Sequence, residues 1–263
     1  MPINVNDPDA RQRYHNSVLQ IMAKLERLIA NKLRPLINRQ YMDAAKLIAQ
    51  GVRDVEHVVN LQRQRLGDLL KAHYRRTAMT AGRNAILYFE KGQKGMNESF
   101  WNEVNQYISL NTGKKISSMQ STTKDMLAKV IEKGVREGET NQEIATRLRN
   151  TGKVDSKFRA LRIARTETLG MFNSATDASV RETGLKFKKV WSTTKDLRTR
   201  RRKKGSIYDH WSVDGQKRGM NESFEVSGEK LRYPGDPNGS AGNIINCRCV
   251  LMYERDRSNE VAR

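Results

Sequence analysis

Apolar residues recur every three or four positions through the first part of the chain, namely at Val18, Met22, Leu25, Ile29, Leu33 and Leu36. This spacing predicts an amphipathic helix that begins at Asp7-Pro8 and is bent or broken near Pro35. A second segment, from Tyr41 to Tyr74, carries the same pattern. We therefore expect long helices that pack as a hairpin, either within the chain or against a partner, and self-association through these helices is one such arrangement.

Helical signals continue to about residue 182. The stretch from Asp125 to Val135 has apolar residues on one face, and Thr140 to Glu143 forms a capping box that predicts the start of a short helix. A longer helix is predicted from Ser156 to about Glu182, where Thr183-Gly184 would end it.

Beyond Gly184 the period of the pattern changes from helix to strand. A strand is predicted by the alternation of Phe187, Lys189 and Trp191 with the residues between them. A hairpin is predicted from Phe224 to Tyr233, with its turn at Ser227-Gly228, and a short strand is predicted from Val250 to Tyr253. The fold class expected is therefore α+β: a largely helical N-terminal region followed by a small C-terminal domain with short antiparallel strands. The boundaries predicted are 1–112 for a helical docking region, 113–155 for a helical connector and 156–263 for the α+β domain.

Charge narrows the range of partners. The net charge is +20 and the sequence pI is about 10.1, which favours binding to polyanions such as nucleic acid. No run of about 20 apolar residues occurs, so membrane insertion is not expected. The first residues lack a signal-peptide pattern, so we expect synthesis in a host cytoplasm and reduced thiols at Cys247 and Cys249.

One basic cluster stands out, with six cations in seven positions: Arg198, Arg200, Arg201, Arg202, Lys203 and Lys204. Such a cluster gains most when a phosphate backbone lies across it. No aromatic residue is interleaved with these cations, which disfavours base stacking on a single strand. The cluster therefore predicts contact with the backbone of double-stranded DNA, independent of sequence.

Arg165 lies on an otherwise apolar face of the helix predicted from Ser156. Because an unpaired guanidinium is costly to bury, it must reach water or a carboxylate, and Asp196 and Asp214 are the candidate partners. A structural ion pair is the interpretation we favour, and a catalytic or substrate-binding arginine is the alternative.

His210, Cys247 and Cys249 could supply three ligands to zinc, with Asp214 or Asp209 as a fourth. The Cys-x-Cys spacing matches no standard zinc pattern, so the favoured interpretation is two small buried cysteines beside a hydrogen-bonded histidine, with no cofactor. A nucleophilic Cys and His pair is a weaker alternative, because no orienting motif accompanies it.

Five motifs follow one another in the C-terminal part: Ala164 to Thr168, Trp191 to Asp196, His210 with Asp214-Gly215, Tyr233 to Pro237, and Ile245 to Cys249. In this order they resemble the phage Mu protein F-like family, the minor head or head morphogenesis proteins of tailed phages. The residues that carry the resemblance are Arg165, Glu167, Trp191, Asp196, His210, Asp214, Gly215, Pro234, Cys247 and Cys249. Their pattern favours the framework of a compact domain over a catalytic centre.

The resemblance implies a non-enzymatic minor capsid protein in the interior of the virion head. It would be associated with the portal or capsid protein and act in head morphogenesis, DNA packaging or DNA ejection. Two alternatives remain open at this point: a metal-dependent nuclease or hydrolase carried in the virion, and an assembly factor absent from mature particles.

Overall fold

The computed structural model describes residues 4–89, 96–202 and 207–256. Long helices come first and short antiparallel strands follow, so the predicted α+β class is confirmed. None of the helices in these ranges is long and apolar enough to cross a membrane. The elements are α1 Pro8–Ala49, a 3-10 helix Glu56–Val59, α2 Arg63–Phe89, α3 Glu98–Arg136, α4 Asn141–Arg181, β1 Phe187–Ser192, β2 Lys217–Gly219, β3 Phe224–Val226, β4 Glu229–Leu231, α5 Ala241–Ile244 and β5 Val250–Arg255.

Helix α1 is not broken at Pro35, as the sequence pattern had suggested, and it ends at Ala49 instead. Pro35 lies on the exposed side of the helix, where water can hydrate the carbonyl that loses its backbone donor. The helix stops at Gly51, which has φ +82°. The amides of Gly51 and Val52 bond back to the carbonyls of residues 48 and 47, a Schellman motif. The single segment predicted from Tyr41 to Tyr74 is therefore wrong, because Gly51 divides it.

Helix α4 joins two segments that the sequence pattern separates. The capping box is confirmed: the Thr140 amide donates to Glu143 Oε2 at 2.7 Å, and the Glu143 amide donates to Thr140 Oγ1 at 3.3 Å. The helix is not short, however, and continues through Gly152 to Arg181. A Cβ on Gly152 would lie 2.5 Å from the Cβ of Tyr41. This glycine therefore permits close helix packing rather than ending a helix.

Helix α3 is also longer than predicted, since the pattern indicated a helix only from Asp125 to Val135. Its end is fixed by Gly138, with φ +73°, and the Glu139 amide bonds back to the carbonyl of Gly134.

Two small antiparallel sheets follow α4. In the first, β1 lies between β2 and β5, and Trp191 pairs with Leu251 across the β1–β5 ladder. The second is the predicted hairpin of β3 and β4, in which Ser227 and Gly228 both have positive φ, as a type I′ turn requires. Neither β2 nor α5, of three and four residues, was predicted.

The chain folds into two compact units, each built from separate stretches of sequence. The first unit comprises Met1–Leu25, Tyr74–Tyr107 and Arg165–Arg263, and the second comprises Glu26–His73 and Ile108–Ala164. The boundaries predicted near residues 112 and 155 stay a prediction. All three tryptophans of the chain, Trp101, Trp191 and Trp211, belong to the first unit, so tryptophan fluorescence reports directly on the unfolding of that unit.

The second unit contains a buried polar network centred on Arg159. Its guanidinium donates to Thr123 Oγ1 at 3.0 Å, to the carbonyl of Met119 at 3.0 Å and to Asp155 at 3.2 Å. The same carboxylate accepts the hydroxyl of Tyr41 at 2.7 Å. The charge of Arg159 is thus compensated inside the unit, as a buried cation requires.

Candidate functional site

The first unit brings His210, Cys247 and Cys249 together, as the sequence suggested. Nδ1 of His210 lies 3.5 Å from Cys247 Sγ and 3.4 Å from Cys249 Sγ, and all three side chains are buried. His210 comes from the loop between β1 and β2, Cys247 from the segment after α5, and Cys249 from the position just before β5. We call these three residues the His-Cys cluster. It is a group of soft and borderline ligand atoms that lie within 4.8 Å of one another.

The orientation of the His210 ring is fixed by Asn243, a residue that sequence reasoning missed. Asn243 donates through Nδ2 to the carbonyl of Val226 at 3.3 Å, so its Oδ1 is available as an acceptor. That oxygen lies 3.2 Å from His210 Nε2, which is therefore the protonated nitrogen. The lone pair of Nδ1 then faces the two sulfurs.

The two thiols differ in acidity. A hydrogen bond from the Cys249 thiol lowers the pKa of Cys247 well below the usual value, although burial opposes this effect. Burial, together with the bond to Cys247, raises the pKa of Cys249. Cys247 is therefore the first of the pair to become a thiolate.

A cavity of about 20 Å³ opens beside the cluster, with His210 and Cys249 on one side. Asp196 lies on its wall together with three arginines, Arg198, Arg200 and Arg248. Burial would raise the pKa of Asp196, but hydrogen bonds from Arg198 and its neighbours outweigh that effect and hold the pKa at about 2. The volume is sufficient for one water molecule.

Asp214, suggested above as a fourth metal ligand, lies outside the His-Cys cluster and anchors the start of α1. Its Oδ2 accepts Arg11 Nη2 at 3.2 Å and Lys195 Nζ at 2.9 Å. Its Oδ1 accepts the amide of Thr193 at 2.8 Å. The following Gly215 has φ +80°. The Asp-Gly motif therefore holds the turn after β1 and the N-terminal helix together.

Glu167, which belongs to the motif from Ala164 to Thr168 on α4, is buried in the first unit. Its carboxylate accepts the hydroxyl of Tyr74 at 2.6 Å, and burial raises the pKa of that tyrosine. Arg165 is half-buried. The carboxylates suggested as its partners lie against other cations, Asp196 against Arg198 and Asp214 against Arg11 and Lys195. Its pairing with either one stays a prediction.

A buried amide on α4, Asn173, holds two of the motif loops, and no sequence pattern pointed to it. Its Nδ2 donates to the carbonyl of Pro234 at 2.9 Å and to that of Cys249 at 3.3 Å. Its Oδ1 accepts the amide of Leu251 at 3.0 Å. One side chain thus satisfies backbone groups of the Pro234 loop, the cysteine segment and β5.

His15 of α1 was not singled out from the sequence, yet it contacts the same region. Its Nδ1 lies 2.9 Å from Ser192 Oγ, and its Nε2 lies 3.1 Å from the carbonyl of Arg248, between the two cysteines. Burial lowers the pKa of this histidine to about 4. The ring is therefore neutral in the folded protein at neutral pH.

This burial predicts a pH-dependent loss of stability. The pKa of His15 is about 4 in the folded protein and about 6.5 in an unfolded chain. Protonation of His15 therefore favours unfolding as the pH falls below about 6.5, and this loss of stability is complete near pH 4. At pH 5 the expected cost is about 2 kcal/mol. Urea unfolding followed by tryptophan fluorescence at pH 7 and pH 5 measures it.

The control for that measurement is a pair of histidine variants. His15→Gln should remove most of the extra loss at pH 5, whereas His57→Gln, at an exposed position, should leave it unchanged. An equal pH dependence in wild type and His15→Gln would contradict the assignment.

The basic cluster predicted to contact DNA is only partly free of internal contacts. Arg198 pairs with Asp196 at 2.7 Å, Arg200 donates to the carbonyl of Ile245, and Arg201 stacks on Trp211 at 3.3 Å from the ring centroid. Arg198, Arg201 and Arg202 are exposed. Lys203 and Lys204 lie outside the described residues. We call residues 198–202 the basic loop.

The motif region coincides with a known family. The sequence model of the family "Phage Mu protein F like protein" matches residues 125–252, which include α4, strands β1 to β4, the start of β5 and the His-Cys cluster. The class to which this region is similar is thus that of phage Mu protein F-like proteins. More particularly, residues 125–252 form a phage Mu protein F-like region, as the motifs predicted.

Two curated proteins are similar over about half of the chain. The "NAD(+)--arginine ADP-ribosyltransferase EFV" of Enterococcus faecalis is 32% identical over 148 residues, which cover 53% of this chain and 28% of that protein. The "Uncharacterized protein YqbB" of Bacillus subtilis is 28% identical over 135 residues, covering 51% of this chain and 42% of that protein. The chain therefore spans less than half the length of either relative. No solved structure matches it.

Proposed function

We propose that this protein acts in phage head morphogenesis as a minor head protein of a tailed phage, located inside the head and associated with the portal. The observation that carries this proposal is the family match over residues 125–252. The protein would be synthesised in the host cytoplasm, enter the virion during assembly and take part in DNA packaging or ejection. The long N-terminal helices would dock on portal or capsid subunits.

We also propose sequence-independent contact between the basic loop and packaged double-stranded DNA. Arg198 is exposed and Asp196 is partly exposed, so water screens their ion pair and a phosphate can replace the carboxylate. Arg201 is stacked on Trp211, which orients its guanidinium without neutralising it. Contacts of this kind position a phosphate backbone and read no bases.

The proposed role is structural rather than enzymatic. The cavity beside the His-Cys cluster, about 20 Å³, has room for a water molecule but not for a nucleotide. The transferase activity in the name of the E. faecalis relative belongs to that protein, of which only 28% is covered. A metal-dependent hydrolase at this site would need a larger opening.

Neutralising the basic loop should weaken DNA binding and its salt dependence. In an Arg198→Gln, Arg201→Gln, Arg202→Gln variant, three phosphate contacts are lost, so the slope of log K against log salt should become less negative by about 2 to 3. Fluorescence anisotropy with an arbitrary duplex, titrated at several salt concentrations, measures this slope.

The matched control removes the same charge from another exposed surface of the first unit, with Arg75→Gln, Arg76→Gln and Arg83→Gln. The slope should change little in that variant. An equal loss in both variants would show that net charge alone drives binding, and would overturn the assignment to the loop. Absence of binding at low salt would overturn DNA contact altogether.

Location in the head is tested on particles. Mass spectrometry of purified virions should detect the protein, and chemical crosslinking should join its N-terminal helices to the portal subunit. Detection in proheads but not in mature virions would instead identify an assembly factor.

A further inference from the structure

We propose that the His-Cys cluster binds one zinc ion, with His210 Nδ1, Cys247 Sγ and Cys249 Sγ as ligands and a fourth position open to the adjacent cavity. This inference is independent of DNA contact and of location in the head. It concerns what holds the loops of the first unit together.

The distances within the cluster match those of a tetrahedral zinc site. Zinc bonds of about 2.3 Å to sulfur and about 2.0 Å to nitrogen place neighbouring nitrogen and sulfur ligands about 3.5 Å apart. The separations from His210 Nδ1 to the two sulfurs are 3.5 and 3.4 Å. All three ligand atoms lie within 4.8 Å of one another. An ion can therefore be accommodated between them with only small side-chain movements.

The surroundings of His210 are those expected of a metal ligand. A ligating imidazole commonly donates its second N–H to a carbonyl or carboxylate, which fixes the tautomer and the ring orientation. Here Nε2 donates to Asn243 Oδ1 at 3.2 Å, and Asn243 is itself held by the carbonyl of Val226 and fully buried. The nitrogen left unprotonated, Nδ1, is the one that faces the sulfurs.

The two sulfur atoms and one nitrogen of the cluster favour zinc over other metal ions. Two thiolates and an imidazole suit zinc, whereas magnesium and calcium prefer oxygen ligands. Asp214 is held by two cations and a backbone amide, so it does not serve as the fourth ligand. Asp196 borders the cavity but accepts hydrogen bonds from the amides of Arg198 and Thr199. A water molecule in the cavity, which has the volume for one, therefore completes the coordination.

The ion would join two segments that otherwise share little regular structure. His210 lies in the long loop between β1 and β2, and the cysteines flank Arg248 between α5 and β5. A metal bridge across these segments stabilises the fold because it forms only in the folded state.

The test uses the full-length protein, purified without chelators, incubated with equimolar zinc and desalted. Elemental analysis should find one zinc per chain. X-ray absorption on the same sample should show two sulfur neighbours at about 2.3 Å together with nitrogen or oxygen neighbours at about 2.0 Å. Cobalt substitution should give thiolate-to-metal charge transfer and the visible bands of a tetrahedral site. A chain without bound zinc, or a coordination shell without sulfur, would overturn the proposal.

Substitutions in the His-Cys cluster and around it test which residues bind the zinc ion. Cys249→Ser and His210→Ala should lose stoichiometric zinc, while Asp214→Asn should retain it. Asn243→Leu, which leaves all three ligands in place, should weaken zinc affinity 10- to 100-fold in chelator competition. The assignment would be overturned if the Cys249→Ser variant retained one zinc. It would also be overturned if the Asp214→Asn variant lost zinc while keeping the tryptophan fluorescence of the folded protein. If a ligand variant does not fold, absorption data on the wild type decide.

Discussion

Replacing Asn173 by leucine is expected to destabilise the first unit by about 3 to 5 kcal/mol. Leucine has nearly the same volume but makes no hydrogen bonds, so the amide of Leu251 and the carbonyls of Pro234 and Cys249 would lose the partner that Asn173 supplies. Each buried polar group left without a partner costs about 1 to 3 kcal/mol. The loss is large because one side chain serves three backbone groups.

Urea unfolding followed by tryptophan fluorescence measures this effect, since the tryptophans all belong to the first unit. Asn105→Leu is the matched control, because Asn105 is an exposed residue of α3 in the same unit. Its free energy of unfolding should change by less than about 0.5 kcal/mol. A loss below about 1 kcal/mol in Asn173→Leu would show that the loops find other partners.

Gly235→Ala should cost about 2 to 4 kcal/mol. Gly235 has φ +79°, which an alanine adopts only with strain of about 1 to 2 kcal/mol. In addition, a Cβ at this position would lie 3.1 Å from Gly170 Cα and 3.2 Å from Gly170 N. Helical backbone cannot move aside as a flexible side chain can, so an overpacking cost is added.

The two contributions can be separated with Gly228→Ala. Gly228 has φ +81° and nothing within 4 Å of the added Cβ, so only the backbone strain applies. Its free energy of unfolding should fall by about 1 to 2 kcal/mol. Equal losses at the two positions would show that the Pro234 loop does not need to approach α4 closely.

The elements that the sequence predicted correctly are those set by local signals. The capping box at Thr140 and the turn at Ser227-Gly228 depend on residues within four positions of one another, and both are present. The errors occur where a distant contact decides the outcome. The helix that begins at Thr140 continues through Gly152 into the next predicted helix, because this glycine gives Tyr41 room to pack.

The candidate site was predicted only through its chemically distinctive residues. A histidine and two cysteines are rare enough to be noticed, and they do come together. Asn173 and Asn243 resemble any other polar residue, because their roles depend on backbone groups or ring nitrogens that lie 17 to 78 positions away in sequence. His15 was overlooked for the same reason, since its partners Ser192 and Arg248 are at the other end of the chain.

The three-part composition of the first unit affects how the protein is made. Residues 1–25 leave the ribosome before the rest of this unit, and their partners in it, such as Ser192, Asp214 and Arg248, are translated much later. The second unit, in contrast, has all of its residues once Ala164 has been added. Units of low sequence separation form earlier than those that wait for distant segments. The start of α1 must therefore wait for these partners through most of translation.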